Sequence, residues 1–140
     1  MPSPHGQGAA YQRKGSLSIR HTYQVSGNTS TVATKWLTIK ASPQRPVVLN
    51  AQLVVTTADG GTTPTMSLGI TATATELINA ASTATAATGG TFLPASNSVG
   101  KYYLTADTPL YYKQGGTPNG AGVTTLIVLV HDVNLDPNLY

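Results

Sequence analysis

Residues 122–133, GVTTLIVLVHDV, are the stretch of this 140-residue chain that decides its fold. Residues 126–130 form an unbroken apolar run of leucine and β-branched side chains, which favour extended strands. An unbroken apolar run indicates burial on both faces of a strand, whereas a half-buried strand alternates apolar and polar residues. We therefore expect residues 122–133 to form a central strand of a sheet.

The segments before this strand alternate apolar and polar side chains with a period of two. Residues 17–25 have this pattern of a half-buried strand, and so do residues 47–57 (VVLNAQLVVTT) and 66–72. The turn residues Asp59-Gly60-Gly61 lie between the last two segments, so residues 47–72 are predicted to form a β-hairpin. Further strands are expected at residues 32–40, 99–106 and 109–113.

Seven or eight strands separated by Gly- and Pro-rich turns are typical of a β-sandwich. We predict an all-β, single-domain β-sandwich at residues 17–133, with a strand count that suits a jelly roll. Residues 1–16, which contain several Pro and Gly, are expected to form an extended N-terminal arm. Residues 134–140 are expected to form an extended C-terminal tail.

Residues 73–98 show no strand alternation and carry a single charge, Glu76. Residues 76–81 could form a short helical turn, and the Ser-, Thr- and Ala-rich remainder predicts a long uncharged loop. Loops of this length within a compact domain are usually functional or ordered by a neighbour. Low-complexity disorder is the alternative interpretation.

Charge is scarce and unevenly placed. Asp, Glu, Lys and Arg make up 9% of the chain, against about 25% of an average soluble domain. A surface of Thr, Ser, Ala and Gly is compatible with being covered by neighbouring subunits, which favours a part of an assembly over a free monomer. Residues 1–45 carry a net charge of +6 and residues 46–140 a net charge of −3. Because the basic residues are scattered, they predict solvated strand faces and a basic arm rather than direct contact with nucleic acid.

Several kinds of chemistry are not predicted by this sequence. The absence of cysteine excludes disulfides, thiolate nucleophiles and Cys-ligated metals. The chain has no apolar run long enough for a transmembrane helix, so no membrane association is expected, and residues 1–8 do not have the pattern of a signal peptide. We therefore expect synthesis and assembly in a cytoplasm.

Catalytic and metal-binding patterns are also missing. Of the three histidines, only His131, next to Asp132, could supply half of an acid–base pair, and no G-x-S-x-G turn presents a nucleophile. A strand-end histidine followed by a solvent-facing aspartate is the preferred interpretation. The glycine pairs do not match a phosphate-binding loop, and no metal-ligand spacing occurs. We predict a protein that is not an enzyme and has no cofactor or metal.

Two tyrosine pairs, Tyr102-Tyr103 and Tyr111-Tyr112, lie in neighbouring predicted strands. Because consecutive strand residues point to opposite faces, each pair places one ring in the core and one outside. An outward ring can contact a partner protein or stack on a sugar, and ordinary exposure is the alternative. The candidate partner-binding residues are Tyr102 and Tyr112 from these pairs and Arg13, Lys14 and Arg20 from the basic first third.

The order of these segments resembles a family of phage proteins. Residues 47–70 (VVLNAQLVVTTADGGTTPTMSLGI), a Thr/Ala-rich loop, residues 102–116 (YYLTADTPLYYKQGG) and the closing strand are similar to small virion structural proteins of tailed bacteriophages, including capsid decoration (cement) and head-fibre proteins. The likeness spans residues 47–132 and is one of pattern. It implies a protein on the capsid surface that binds at junctions of major capsid proteins, commonly as a trimer, and braces the shell against DNA pressure.

Two alternative functions remain at this point. A component of the tail or a fibre would use the same fold to join virion parts or to recognise a receptor. A carbohydrate-binding sandwich would use the outward tyrosine rings. In either virion role the partner is the major capsid protein or another virion protein, and a homo-oligomer is expected.

Overall fold

The computed structural model describes residues 16–86 and 102–133, and this part of the chain contains eight strands and no helix. They are β1 (Ser16–Ser26), β2 (Thr34–Ile39), β3 (Val47–Thr57), β4 (Thr62–Gly69), β5 (Ile78–Ser82), β6 (Tyr102–Leu104), β7 (Thr108–Thr117) and β8 (Val123–Val133). Two antiparallel four-stranded sheets result: sheet A in the order β1-β8-β3-β6 and sheet B in the order β2-β7-β4-β5. The prediction of an all-β sandwich is therefore confirmed.

The two sheets are connected as a jelly roll. The strands pair in nested fashion, first with last: β1 with β8, β2 with β7, β3 with β6 and β4 with β5. The chain crosses between the sheets at every connection except that from β4 to β5. This nesting is the arrangement of a jelly roll, and it places Ser16 at the start of β1 opposite Val133 at the end of β8.

Strand β8 is central, as its apolar run predicts. It pairs along its length with β1 on one side and with β3 on the other. Leu126 and Val128 point into the core and are fully buried. Ile127 points to the outer face but is also buried, because Thr22 of β1 and Gln52 of β3 flank it.

The core lies between the sheets and is built from alternate strand residues. Sheet A contributes the buried side chains of β3, which are Val47, Leu49, Ala51, Leu53 and Val55. Sheet B contributes the facing side chains Met66, Leu68, Leu110 and Tyr112. Burial of apolar surface between the sheets is the main term that stabilises the sandwich.

The predicted β-hairpin at residues 47–72 is wrong, because β3 and β4 lie in different sheets. Both sides of β3 are already occupied, by β8 and β6. Strand β4 pairs instead with β7 and β5. The two apolar strands that were expected side by side therefore contribute to opposite faces of the core.

The link from β3 to β4 is fixed by a buried carboxylate. Asp59 is 5% exposed, and its Oδ1 accepts hydrogen bonds from the backbone N–H of Gly61 (2.8 Å) and of Asn119 (2.9 Å) in the β7–β8 connection. Burial by itself raises the pKa of Asp59, but the backbone hydrogen bonds from Asn119, Gly61, Gly120 and Gly122 outweigh burial and hold that pKa below its ordinary value. One charge thus ties two connections together at this end of the sandwich.

A second carboxylate shapes the region where a helical turn was predicted. Glu76 Oε1 accepts hydrogen bonds from the backbone N–H of Ile70 (2.7 Å) and Thr71 (3.0 Å). Its Oε2 accepts the hydroxyls of Thr71 and Thr73. This contact folds the chain back on the end of β4, and the next residues form β5, so the expected helical turn at residues 76–81 is wrong.

Gly115 and Gly116 are part of strand β7, and the connection to β8 covers residues 118–122. Gly116 has a φ of +69° and lies opposite an irregularity in β4 where Thr63 has a φ of +45°. A Cβ at Gly116 would clash with the carbonyl of Thr63. The glycine therefore permits close strand pairing at a bulge rather than a reversal of the chain.

Other boundaries differ by a few residues. Strand β4 covers residues 62–69 rather than 66–72, and β5 interrupts the loop that was predicted for residues 73–98. The part of that loop beyond residue 86, the arm before Ser16 and the tail after Val133 lie outside the described residues.

The buried Asp59 makes stability depend on pH. Asp59→Asn keeps the volume but removes the charge that the backbone N–H groups stabilise, so we expect the free energy of unfolding to fall by about 2 kcal/mol at pH 7. Because the folded-state pKa is lowered, this stabilisation is present above the unfolded-state pKa of about 3.9 and is lost as the pH falls through the folded-state pKa.

Denaturant unfolding at pH 7 and below pH 3 measures this effect. The difference between wild type and Asp59→Asn should shrink in acid. Asp107→Asn, a carboxylate at an exposed site, is the matched control and should lose less at pH 7. Equal losses for both variants at neutral pH would contradict the role of the buried carboxylate.

Candidate functional site

Titratable side chains are dispersed over the described part of the chain. Within residues 16–86 and 102–133, no group of three or more His, Asp or Glu side chains could hold a metal ion. Nor do these residues contain a helix long and apolar enough to cross a membrane. That the protein has no enzymatic activity, cofactor or metal stays a prediction from the sequence.

His131 and Asp132 do not form an acid–base pair, because adjacent strand residues point to opposite faces. The Nδ1 of His131 lies 2.7 Å from the hydroxyl of Ser18 on the outer face of sheet A. Asp132 forms an ion pair with Arg45, and its side chain is only 19% exposed. The prediction of a solvent-facing aspartate is therefore wrong, since the ion pair turns this carboxylate toward the loop before β3.

Tyr112 is buried in the core, which corrects the prediction that it faces a partner. Strand β7 points Leu110, Tyr112 and Gln114 inward, and the side chain of Tyr112 is 6% exposed. Its ring lies 5.4 Å from that of Tyr23, centroid to centroid. Burial, together with the hydrogen bond to Tyr23, raises the pKa of Tyr112 above its ordinary value.

The exposed member of the other tyrosine pair is Tyr103. It lies opposite Val48 on the outer face of sheet A and is 56% exposed. The side chain of Tyr102 lies outside the described part of the structure. The sequence predicted correctly that one ring of a pair would face outward, but the spacing of a tyrosine doublet does not say which one.

Of the predicted basic partner-binding residues, only Arg20 lies in the described part of the chain. It is exposed on the outer face of β1, opposite Leu129. Arg13 and Lys14 precede the described residues. A partner-binding role for all three remains a prediction.

The outer face of sheet A is nearly free of charge. Its side chains come from alternate residues of β1, β8, β3 and β6, and Arg20 is the one charged residue among those that the structure describes there. The apolar members include Val48, Val54, Val123, Ile127, Leu129 and Tyr103. Protein interfaces are depleted of charged residues at their centres, and this face shares that scarcity of charge.

Four strands form the edges of the two sheets in the described part of the chain. Three of them are short or irregular: β5 has five residues, β6 has three, and β2 has six with a bulge at Lys35 and Leu37. Such features protect an edge from pairing with another chain. The fourth, β1, has 11 residues and no break in its register with β8.

Strand β1 also exposes large apolar side chains. Ile19 is 45% exposed and Tyr23 is 40% exposed, although both lie on the side of β1 that points toward the core. Tyr23 contacts two strands of sheet B, through ring distances of 5.9 Å to Trp36 of β2 and 5.4 Å to Tyr112 of β7, and still keeps 40% of its surface exposed. Sheet B therefore leaves the inward side of β1 incompletely covered.

A cavity of about 340 Å³ opens beside this strand, at the end of the sandwich where β1 begins. Its apolar wall is formed by Ile19, Val47 and Val130. Two ion pairs border it, Lys40 with Asp107 (3.0 Å) and Arg45 with Asp132. Two hydrogen bonds lower the pKa of Asp107. The larger effect comes from the backbone N–H of Ala41 and the smaller from the side chain of Lys40.

The sequence comparisons leave this chain without a matching family. No protein-family model matches it, and no curated protein matches it.

Several solved structures are similar to this chain at low sequence identity. A chain of the cyanophage Pam1 capsid is 17% identical in sequence, with a TM-score of 0.45. The match covers 84% of this chain and 84% of that chain. The capsid of Helicobacter pylori bacteriophage KHP30 is 13% identical with a TM-score of 0.47, covering 84% of this chain and 89% of that one. Bacillus endospore appendages, a family of disulfide-linked pili, are 13% identical with a TM-score of 0.45, covering 85% and 88%.

The contrasting positions of the two tyrosines can be tested directly. Tyr112→Ala removes a ring packed in the core, so we expect the free energy of unfolding to fall by about 3 kcal/mol. Tyr103→Ala removes an exposed ring and should cost less than about 1 kcal/mol. Denaturant unfolding of both variants measures the difference, and similar losses would contradict the inward orientation of Tyr112.

Proposed function

We propose that this chain is a structural protein of a bacteriophage virion and, more narrowly, a capsid decoration (cement) protein that binds at junctions of major capsid proteins and stabilises the head. The observation that carries the proposal is that the outer face of sheet A is nearly uncharged. The inner faces of the two sheets, by contrast, form the core. The resemblance of residues 47–132 to small tailed-phage virion proteins supports the same role.

The distribution of charge supports binding to an acidic partner. The four acidic residues of the described part are all engaged within the chain: Asp59 and Glu76 with backbone N–H groups, Asp107 with Lys40, and Asp132 with Arg45. The basic residues outside the two ion pairs there are Arg20, Lys35 and Lys113. Because each of these carboxylates is engaged within the chain while the three cations form no ion pair there, this surface is attracted to negative charge.

The arm and the tail would start from one place. Because Ser16 pairs with Val133, residues 1–15 and 134–140 are attached side by side at one end of sheet A. Two segments that contact neighbours from the same site, repeated over a symmetric shell, turn weak single contacts into strong overall binding. The arm adds Arg13 and Lys14 to the positive charge.

The oligomer and its location are part of the proposal. The resemblance favours a trimer on the capsid surface that assembles in the host cytoplasm. A tail or fibre component would use the same surface and differs only in its place on the particle. A carbohydrate-binding function has less support, because Tyr112, one of the rings that was expected to point outward, lies in the core.

The first test is whether the chain co-purifies with a large particle. Mass spectrometry of gradient-purified particles should find it at a fixed copy number per shell subunit. Electron microscopy of labelled particles then shows whether the protein is on the head or on the tail. Absence from every particle fraction of a productive infection would contradict a virion role.

The second test removes the arm. Deletion of residues 1–15 leaves β1 intact, so we expect circular dichroism and the unfolding midpoint to stay close to wild type. Occupancy on particles should fall at least tenfold, because one of the linked contacts is lost. Arg13→Ala with Lys14→Ala separates the charge of the arm from its length. Unchanged occupancy after the deletion would contradict the role of the arm.

A further inference from the structure

Strand β1 is an edge strand whose length and regularity suit it to pair with another strand. A free edge presents a row of unpaired backbone N–H and C=O groups, and proteins usually shorten, bulge or charge such edges. Over its 11 residues β1 has a regular register with β8, contains no proline and carries one charge, Arg20. Within the described residues no strand pairs with its other side.

We infer that β1 pairs with β1 of a second copy of this chain, antiparallel across a two-fold axis at His21, so that two four-stranded sheets become one sheet of eight strands. This inference concerns the isolated protein and does not depend on the virion role.

The sequence of β1 fits itself in this register. When all 11 residues overlap, position 16 lies opposite position 26 and His21 lies on the axis. Ile19 then lies opposite Tyr23 of the second copy, and both belong to the same face of the joined sheet. These two side chains are the exposed apolar residues of β1, at 45% and 40%. An aromatic and a β-branched residue form a favourable cross-strand pair.

The polar face agrees with the same register. Ser18 lies opposite Gln24 of the second copy, and Arg20 lies opposite Thr22. The two Arg20 side chains are therefore diagonal to each other and not directly opposite, so like charges do not meet. A second copy thus covers the apolar residues of β1 and does not place the two Arg20 side chains directly opposite each other.

An unrelated extended peptide is the competing occupant of this edge. It would gain the same backbone hydrogen bonds, but nothing would require its side chains to complement β1 along the full strand. Self-complementarity over 11 residues favours a second copy. The two occupants differ in one measurable respect, because only a second copy makes the association depend on both position 20 and position 22 of this chain.

Charge substitutions at Thr22 test the register. Thr22 is exposed on the polar face, so its replacement should leave the fold intact. By symmetry each change acts twice. Thr22→Lys places a new positive charge opposite Arg20 and should raise the dimer dissociation constant about tenfold, whereas Thr22→Glu should lower it by a similar factor. Arg20→Glu combined with Thr22→Lys recreates an opposite-charge pair with the signs exchanged, so it should lower the dissociation constant as Thr22→Glu does. Sedimentation over a range of concentrations measures all three.

Gln24→Lys and Gln24→Glu are the matched controls, because in this register position 24 faces the uncharged Ser18. Both should leave the dissociation constant within about twofold of wild type. A protein that is monomeric at millimolar concentration would overturn the inference. So would a dimer or trimer whose dissociation constant ignores the charge at position 22, since its contacts would lie elsewhere.

Cross-linking gives an independent readout, because the chain has no cysteine of its own. A mixture of Arg20→Cys and Thr22→Cys proteins should form a disulfide-linked dimer faster than either protein alone. A mixture of Arg20→Cys and Gln24→Cys should not show this preference. Equal rates in the two mixtures would overturn the register even if the protein dimerises.

Discussion

The double pairing of β8 is the constraint on which the rest of the structure depends. This strand lies between β1 and β3 and is hydrogen-bonded to both along its length. Its inward side chains, among them Leu126 and Val128, fill the centre of the core. Without it, sheet A would divide into a lone β1 and the pair β3-β6, and sheet B would lose part of the surface against which it packs.

Two of the few carboxylates of this protein stabilise its own connections. Asp59 ties the β3–β4 connection to the β7–β8 connection, and Glu76 holds the chain at the end of β4. Both carboxylates bind backbone N–H groups, which stabilise a charge without a second charged residue. The outer face of sheet A is left almost neutral. A neutral face loses little by desolvation when a partner covers it, which is consistent with a protein that works within an assembly.

The sequence predicted the positions of the strands better than it predicted which strands pair with each other. The alternation in residues 47–57 and the apolar run in residues 126–130 identified β3 and β8, and the length of that run identified the central strand. The false hairpin arose because a short turn between two apolar strands is the same whether the chain stays in its sheet or crosses to the other. The roles of Asp59 and of the β1 edge depend on contacts with residues far away in sequence. No local pattern contains them, and the orientation of Tyr112 depends on the same long-range packing.

The nested pairing of strands has a consequence for the order of events when the protein is made. Strand β1 leaves the ribosome first, and its partner β8 leaves last, so the pair cannot form until synthesis of the domain is complete. Until then β3 also lacks one of its neighbours. Folds dominated by such distant contacts form slowly, and their unpaired apolar strands are open to wrong associations in the meantime. The chain must therefore spend its synthesis as an unfinished sandwich.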